Sequence, residues 1–193
     1  MANELEGTAT ETPDGGYLLS FERHFDHPIE KVWSAISDPS ELTKWLAGDE
    51  AIVEGRIGGR VFMSGHGGIE STVRAYEPPH VIEYDWKTSE WDGGPIRWEL
   101  SEDGGGTKLT FTHRFPEPDM AEQEQLMKKM GFGPDMYDPI PRTLAGWHTL
   151  IEELAAHVDE RPSDHDVNTP QEGAEQPRWK TLHQRYKDLY ATV

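Results

Sequence analysis

Apolar and polar residues alternate along several short stretches of the chain, and glycine or proline residues separate these stretches. The first stretch, YLLSFERHF at residues 17–25, has the period of two that a half-buried strand requires, with Arg23 as the charged exception on its apolar side. Five later stretches have the same character, at residues 60–64, 69–76, 81–86, 96–100 and 108–115. The short connections between them predict an antiparallel meander. We therefore expect one sheet of about six strands.

Between the first two predicted strands, and again after the last one, apolar residues recur at every third or fourth position. The segment FDHPIEKVWSAISDPSELTKWL, residues 25–46, predicts two short helices, the second capped by Asp38. A small helix is predicted at about residues 119–131. The longest pattern follows Asp138, a predicted N-cap, and continues to Val158 for about five turns. This long helix should lie on the sheet, since no other element offers enough apolar area.

The two ends of the chain lack the alternation of the central part. Residues 1–16 are polar and have no periodicity, which predicts a disordered N-terminal tail. The folded domain is predicted at residues 17–158. Residues 159–193 are interpreted as a polar, proline-bearing linker followed by a C-terminal helix, whose apolar residues begin at Trp179. Because that helix is too small to fold alone, we expect it to dock onto the domain or onto another subunit.

The composition of the chain narrows the possible functions. The 36 acidic residues outnumber the 18 lysines and arginines, and the formal net charge of -18 argues against binding of nucleic acid or of anionic lipid. The chain has no cysteine, its first residues lack a secretion signal, and no apolar stretch approaches the roughly 18 residues of a membrane span. These features favour a cytoplasmic protein that does not enter a membrane.

Motifs for catalysis and for cofactor binding are missing from the sequence. It contains no HExxH, no G-x-S-x-G and no P-loop, and its nine histidines do not have the spacing of metal ligands. The glycine-rich run GRIGGRVFMSGHGG leads into strands rather than into a helix, so it offers no phosphate-binding helix N-terminus. We therefore expect no metal and no cofactor.

The order of the predicted elements, a strand, two short helices, an antiparallel meander and a long helix, is that of the helix-grip fold. Four segments resemble one family in the correct order: FDHPIEKVWSAISDPSELTKWL, GGIESTVRAYEPPHVIEYDW, IRWELSEDGGGTKLTFTHRF and GWHTLIEEL. They resemble the START-like (SRPBCC) superfamily, in the branch named for homologues of the activator of the heat-shock protein 90 ATPase. The resemblance covers residues 17–158. It implies an α+β fold in which a curved antiparallel sheet wraps around the long C-terminal helix and leaves a cavity between them.

A cavity of this kind would be lined by inward-facing strand residues and by the apolar stripe of the long helix. The predicted ligand-binding residues are Trp45, Met63, Trp86, Trp98, Phe111, His113, Met127, Trp147 and Ile151. Apolar and aromatic walls suit a small organic ligand, although the same residues could close-pack as a dry core. Trp45 is expected nearer the open end of the cavity.

Three polar candidates have two possible roles each. His113 could orient a ligand or be a hydrogen-bonded structural histidine. Arg23 could meet a ligand carboxylate or form an internal ion pair. His148 could lie near the mouth of the cavity or in solvent.

Three functions are compatible with these residues. The first is binding of a small hydrophobic or amphipathic molecule without turnover. The second is a cyclase or dehydratase, in which cavity groups such as His113 and Arg23 polarise a bound carbonyl and move a proton. The third is a protein-interaction, co-chaperone-like module that acts through the acidic surface or the C-terminal helix, as a homodimer or with another protein. The superfamily that the sequence resembles includes hydrophobic-ligand carriers, hormone receptors, polyketide cyclases and co-chaperones, so all three functions stay open.

Overall fold

The computed structural model describes residues 6–129, 131–162 and 177–190. Within them, eight strands form one sheet: β1 (Thr8–Glu11), β2 (Tyr17–Phe25), β3 (Ala51–Val53), β4 (Arg60–Met63), β5 (Ile69–Glu77), β6 (Val81–Lys87), β7 (Asp92–Asp103) and β8 (Gly106–Phe115). Their order across the sheet is β1-β2-β8-β7-β6-β5-β4-β3, and every neighbouring pair is antiparallel. The strands β3 to β8 therefore form a meander that returns to pair with β2.

Six of these strands, β2 and β4 to β8, are the ones that the sequence pattern predicts, so the expected number of about six is two too low. The strands β1 and β3 lie at the two edges, and their side chains are exposed or half-buried. Short edge strands of this kind carry no clear alternation. The prediction of a disordered tail over residues 1–16 is therefore wrong for Thr8–Glu11, which backbone pairing with β2 holds in place.

Five α-helices accompany the sheet in the described part of the chain: α1 (Ile29–Ser37), α2 (Pro39–Leu42), α3 (Met120–Lys129), α4 (Pro139–Val158) and α5 (Pro177–Tyr190), and a 3₁₀ helix at Pro134–Met136 precedes α4. Both predicted N-caps are confirmed. The Asp38 carboxylate accepts a hydrogen bond from the Ser40 N–H at 2.8 Å, and that of Asp138 accepts one from the Ile140 N–H at 3.0 Å. Each cap satisfies a backbone donor of the first turn. None of the helices in these residues is long and apolar enough to cross a membrane.

The concave face of the sheet carries the apolar residues that the alternation places inward, and α4 packs against it. The strand register aligns one row of side chains across four strands: Phe21 on β2, Phe111 on β8, Trp98 on β7 and Ile82 on β6. All four residues are at most 1 % exposed. Among the strands, β1 and β2 lie closest to the backbone of α4. The backbone of α4 lies farther from β5, β6 and β7 than from β1 and β2, and the backbone of α1 lies near β7 and β8.

The sequence predicted that the C-terminal helix would dock onto the domain or onto another subunit. In the structure this helix, α5, packs on α4 of the domain. Its residues Trp179 and Tyr186 are buried. The Tyr186 hydroxyl accepts a hydrogen bond from the Gly7 N–H at 2.8 Å and forms another with His148 Nδ1 at 2.8 Å. The N-terminal segment, α4 and α5 are therefore joined at one buried point. Most of the linker predicted before this helix, residues 163–176, lies outside the described residues.

Candidate functional site

Five aromatic side chains fill the space between α4 and the more distant half of the sheet, and we call them the aromatic cluster: Trp45, Trp86, Trp98, Phe111 and Trp147. The ring centroid of Phe111 lies 4.4 Å from that of Trp98 and 4.3 Å from that of Trp147. Trp147 also lies 5.0 Å from Trp86, and Trp45 meets Trp98 edge-on at 6.0 Å. Such separations are typical of interacting aromatic pairs. The cluster therefore connects α4 to β6, β7 and β8 through contacts between rings.

The structure buries all nine predicted ligand-binding residues and brings eight of them together. The aromatic cluster, Met63 and Ile151 belong to one apolar core. His113 contacts this core through Trp147, at a ring separation of 5.7 Å. Met127, on α3, is buried outside the core. Helical spacing places Met127 on an apolar face, but it does not say which surface that face covers.

The sequence led us to expect Trp45 near an open end of the grip, but the residue lies in the interior. The residue is 1 % exposed, and its Nε1–H donates to the Ala35 carbonyl at 2.8 Å. A buried indole N–H requires an acceptor, and the end of α1 provides one. This hydrogen bond holds the Trp45 ring edge-on against Trp98.

His113, the titratable residue among the nine candidates, has both ring nitrogens occupied. The Trp147 Nε1–H donates to His113 Nδ1 at 2.8 Å, and His113 Nε2 lies 2.6 Å from the Gly93 carbonyl oxygen. An indole N–H only donates and a carbonyl only accepts, so the ring is neutral with its proton on Nε2. Burial lowers the pKa of His113 to about 4, against the opposing effect of the Gly93 carbonyl. This geometry favours the structural role over a ligand-orienting one.

Arg23 does not face His113 across the interior. Leu19 is the residue of β2 opposite His113, and Arg23 lies four positions farther along the strand, about 13 Å away. The two groups named for a cyclase or dehydratase are therefore not brought together. Arg23 is buried near Tyr186 and Glu152; burial lowers the pKa of the guanidinium, and the charges of these two groups oppose that effect.

His148 lies neither at a cavity mouth nor in solvent. It is 2 % exposed, and its Nδ1 is hydrogen-bonded to the hydroxyl of Tyr186. Its Nε2 lies 3.4 Å from Glu152 Oε1, an ion-pair distance with poor hydrogen-bond alignment, and Arg178 contacts the same carboxylate. Burial by itself would raise the pKa of Glu152, but the interactions with His148 and Arg178 lower it to about 2. This network fastens α5 to α4.

Among the described residues, three buried polar atoms on the concave face have no hydrogen-bond partner: the hydroxyls of Ser71 on β5 and Tyr84 on β6, and the Nε1–H of Trp98 on β7. These residues are 6 %, 1 % and 0 % exposed. Burial raises the pKa of Tyr84, and a polar interaction with the Trp98 N–H opposes that rise, although the two groups do not meet the full geometry of a hydrogen bond. Ser71 and Tyr84 are missing from the predicted site. For Tyr84 a signal existed, because the alternation along β6 places its hydroxyl inward.

His66 covers one end of the aromatic cluster. Trp86 is the most exposed ring of the cluster at 8 %, and the His66 ring lies 5.2 Å from it. His66 is in the turn between β4 and β5, with a φ of 55°, and its Nε2–H donates to the Leu46 carbonyl at 3.0 Å. Burial lowers the pKa of His66. A histidine in a glycine-rich turn has no periodicity, so the sequence gives no sign of this contact.

Several surface clefts in the described residues lie outside the aromatic cluster, and two of them border the end of α4. One, of about 530 Å³, lies between β2, the end of α4 and the start of α5, and includes Arg178 in its lining. The other, of about 330 Å³, lies between α1 and the end of α4, and includes Lys31 and His157. These three side chains form ion pairs with neighbouring carboxylates. In the described residues, no group of histidines, aspartates and glutamates is arranged to hold a metal ion.

The sheet curved around a long helix near the C-terminus defines a helix-grip protein. The family described as "Activator of Hsp90 ATPase homolog 1-like protein" matches residues 26–159, which is more than half of the chain. The chain belongs to this family, and the resemblance found in the sequence is confirmed. A search among curated proteins gives no significant match.

Solved structures with the same fold extend over most of this chain. CalU16 from Micromonospora echinospora superposes with a TM-score of 0.63 at 19 % identity, over 96 % of this chain and 95 % of its own. EF2215 from Enterococcus faecalis, a conserved protein of unknown function, gives a TM-score of 0.67 at 16 % identity, over 98 % and 93 %. DynU16, a protein in the dynemicin biosynthetic locus, gives 0.56 at 21 % identity, over 80 % and 51 %. At these identities the likeness shows the fold alone.

Proposed function

We propose that this protein binds a small hydrophobic or amphipathic molecule between the sheet and α4, without chemical turnover. The observation that carries the proposal is the aromatic cluster, which together with Met63 bridges the space where α4 stands off from β5 to β7. Aromatic rings and a thioether are typical walls of sites for organic molecules, because they offer large apolar area and adapt to the shape of a guest.

Entry of a ligand requires side-chain movement, because the rings of the cluster are in contact with one another. Trp86 is the most exposed of them, and His66 is the ring that covers it. Rotation of these two side chains would open the interior while leaving the Trp98 and Trp147 contacts with Phe111 in place. Trp86 and His66 are therefore the proposed gate.

Two further observations support binding without turnover. The fold occurs in DynU16, a protein in the dynemicin biosynthetic locus, so helix-grip proteins are found where small molecules are made. Both nitrogens of His113 are engaged, and Arg23 lies about 13 Å away along β2. The pair that a cyclase or dehydratase would use therefore does not converge on one ligand position.

Native mass spectrometry of protein purified from its own host tests the proposal. We expect a retained small molecule that is released on unfolding. A thermal-shift screen of apolar and aromatic compounds gives an independent measurement, since a ligand that binds the folded state alone raises the unfolding temperature. If no molecule is retained and no compound shifts the transition, the binding proposal is excluded.

A pair of variants locates the site. Trp86→Leu removes the ring of the proposed gate, and it should accelerate ligand release. Trp91→Leu is the matched control, because Trp91 is partly buried against Phe115 and does not belong to the aromatic cluster. Equal effects of the two substitutions on release would place the ligand elsewhere.

A further inference from the structure

In the described residues the Tyr84 hydroxyl and the Trp98 indole N–H are both buried, and neither makes a hydrogen bond of full geometry. The indole N–H groups of two other tryptophans in the cluster are hydrogen-bonded: Trp45 donates to the Ala35 carbonyl and Trp147 to His113. A buried polar group without a partner destabilises the folded state, since it has given up its hydrogen bonds to water. Two such groups side by side point to a partner that both of them can reach.

The register of the sheet places these two groups on neighbouring strands. Trp98 on β7 is opposite Ile82 on β6, and Tyr84 is two residues farther along on the same face. Side chains at this diagonal are within reach of each other when they are long, and Trp98 acts on the pKa of Tyr84 directly. Ser71, on β5, adds a third unpaired hydroxyl to this face. The polar atoms thus interrupt an otherwise apolar wall.

The surroundings of the pair are uncharged. Apolar residues occupy the other buried inward positions of β5, β6 and β7: Ile69, Val73, Ile82, Trp86, Ile96 and Leu100. Asp85 is buried as well, but it alternates to the opposite face and pairs with Arg74 at 2.7 Å. His113 is neutral, and burial keeps the proton on the Tyr84 hydroxyl. A charged ligand group would lose its hydration here without gaining an ion partner.

We propose that Tyr84 and Trp98 form a hydrogen-bonding subsite for the carbonyl oxygen of an uncharged, largely apolar ligand. An indole N–H can only donate, and the tyrosine hydroxyl can donate its proton in the same direction. One carbonyl oxygen has two lone pairs and satisfies both donors, while the aromatic cluster encloses the apolar remainder of the molecule. This inference rests on the proposed function, because it names the ligand class for the same interior.

Three probes of similar size test the inference: α-tetralone, which has a carbonyl; tetralin, which lacks it; and a tetralin that carries a carboxylate group, which is charged. Titration calorimetry of the whole chain should show α-tetralone binding about tenfold more tightly than tetralin, as expected for hydrogen bonds between neutral groups. The carboxylate should bind most weakly. Tyr84→Phe should bring the ratio of α-tetralone to tetralin affinity close to one and leave tetralin unchanged. The control Tyr76→Phe, whose ring contacts Trp33, should keep the tenfold preference.

The Trp98 N–H gives a second and direct readout. In a proton–nitrogen correlation spectrum its indole resonance, assigned with Trp98→Phe, should move on addition of α-tetralone and stay in place on addition of tetralin. Equal affinities for the two neutral probes, or a preference for the carboxylate, would overturn the inference and leave the proposed function standing. A carbonyl preference that survives Tyr84→Phe would also overturn it. Binding of neither neutral probe up to its solubility limit would overturn the inference, whereas the proposed function is decided by the search for a retained molecule and by the thermal-shift screen.

Discussion

Removal of one hydroxyl, that of Tyr186, should reveal how the two ends of the chain are held to the domain. Tyr186 is 0 % exposed. Its hydroxyl accepts a hydrogen bond from the Gly7 N–H and forms another with His148 Nδ1, both at 2.8 Å. Tyr186→Phe keeps the ring, so the packing of α5 on α4 is retained while both partners of the hydroxyl lose their hydrogen bond.

The expected loss follows from the burial of these two partners. Gly7 is buried and His148 is 2 % exposed, so water does not readily replace the missing oxygen. A buried donor or acceptor without a partner costs about 1–3 kcal/mol. The two together give a loss of about 2–6 kcal/mol in the free energy of unfolding. For a chain of this length, 3 kcal/mol corresponds to a fall of about 6–12 °C in the unfolding temperature.

Urea unfolding followed by circular dichroism measures this loss, and the midpoint should fall while the slope m stays constant. Tyr190→Phe is the matched control on the same helix. The Tyr190 hydroxyl accepts a single hydrogen bond, from the partly buried Ala9 N–H at 2.6 Å, so its removal should cost about 1 kcal/mol. A loss below 1 kcal/mol for Tyr186→Phe, or one equal to that of Tyr190→Phe, would refute the reasoning.

Three further predictions concern the core. The free energy of unfolding should fall by about 3 kcal/mol between pH 6.5 and pH 4 because of His113: the unfolded chain binds a proton at the ordinary histidine pKa, whereas the buried ring binds it only near its lowered pKa of about 4. Urea unfolding at several pH values should show a weaker dependence of stability on pH for His113→Gln. An unchanged dependence would contradict the pKa shift. Trp98→Ala should cost about 3–5 kcal/mol if the ring is close-packed core, whereas a much smaller loss with weakened ligand binding would place the ring on a cavity wall. Gly7→Ala should lower the unfolding temperature, because the added Cβ would lie 2.2 Å from the buried Phe21 ring and overpacking typically costs about 1–3 kcal/mol. Gly146→Ala in α4, where nothing lies within 4 Å of the new Cβ, should instead stabilise the protein by about 0.5–1 kcal/mol; shifts of the same sign for the two glycines would contradict the packing.

Much of the fold was predictable because its causes are local. The strand Tyr17–Phe25 has the predicted bounds, and the caps Asp38 and Asp138 act as expected. Alternation, helical spacing and capping depend on residues a few positions apart, so they can be seen in the sequence. The edge strand Thr8–Glu11 was not predictable in this way, because pairing with β2 rather than an apolar face of its own orders it.

The sequence predicted which residues lie in the candidate site better than it predicted the contacts that they make there. Parity along the strands placed Trp98 and Phe111 inward, and the spacing along α4 did the same for Trp147; the structure brings these rings together. Met127 has the same apolar character and helical spacing, yet it is buried outside this core. The position of α3 on the domain, which periodicity does not contain, decides that difference.

The sequence by itself determined which residues turn inward, where most helices and strands lie, and which family the chain resembles. The tertiary structure alone decided the state of the polar groups in the interior. His113 is hydrogen-bonded to Trp147, 34 positions away, and to the Gly93 carbonyl, and its ring is therefore neutral. Tyr84 and Trp98, which lie on equally inward positions, are left without partners. Hydrogen bonding depends on atoms placed within about 3 Å by chain segments that are distant in sequence, and no periodic pattern encodes that placement.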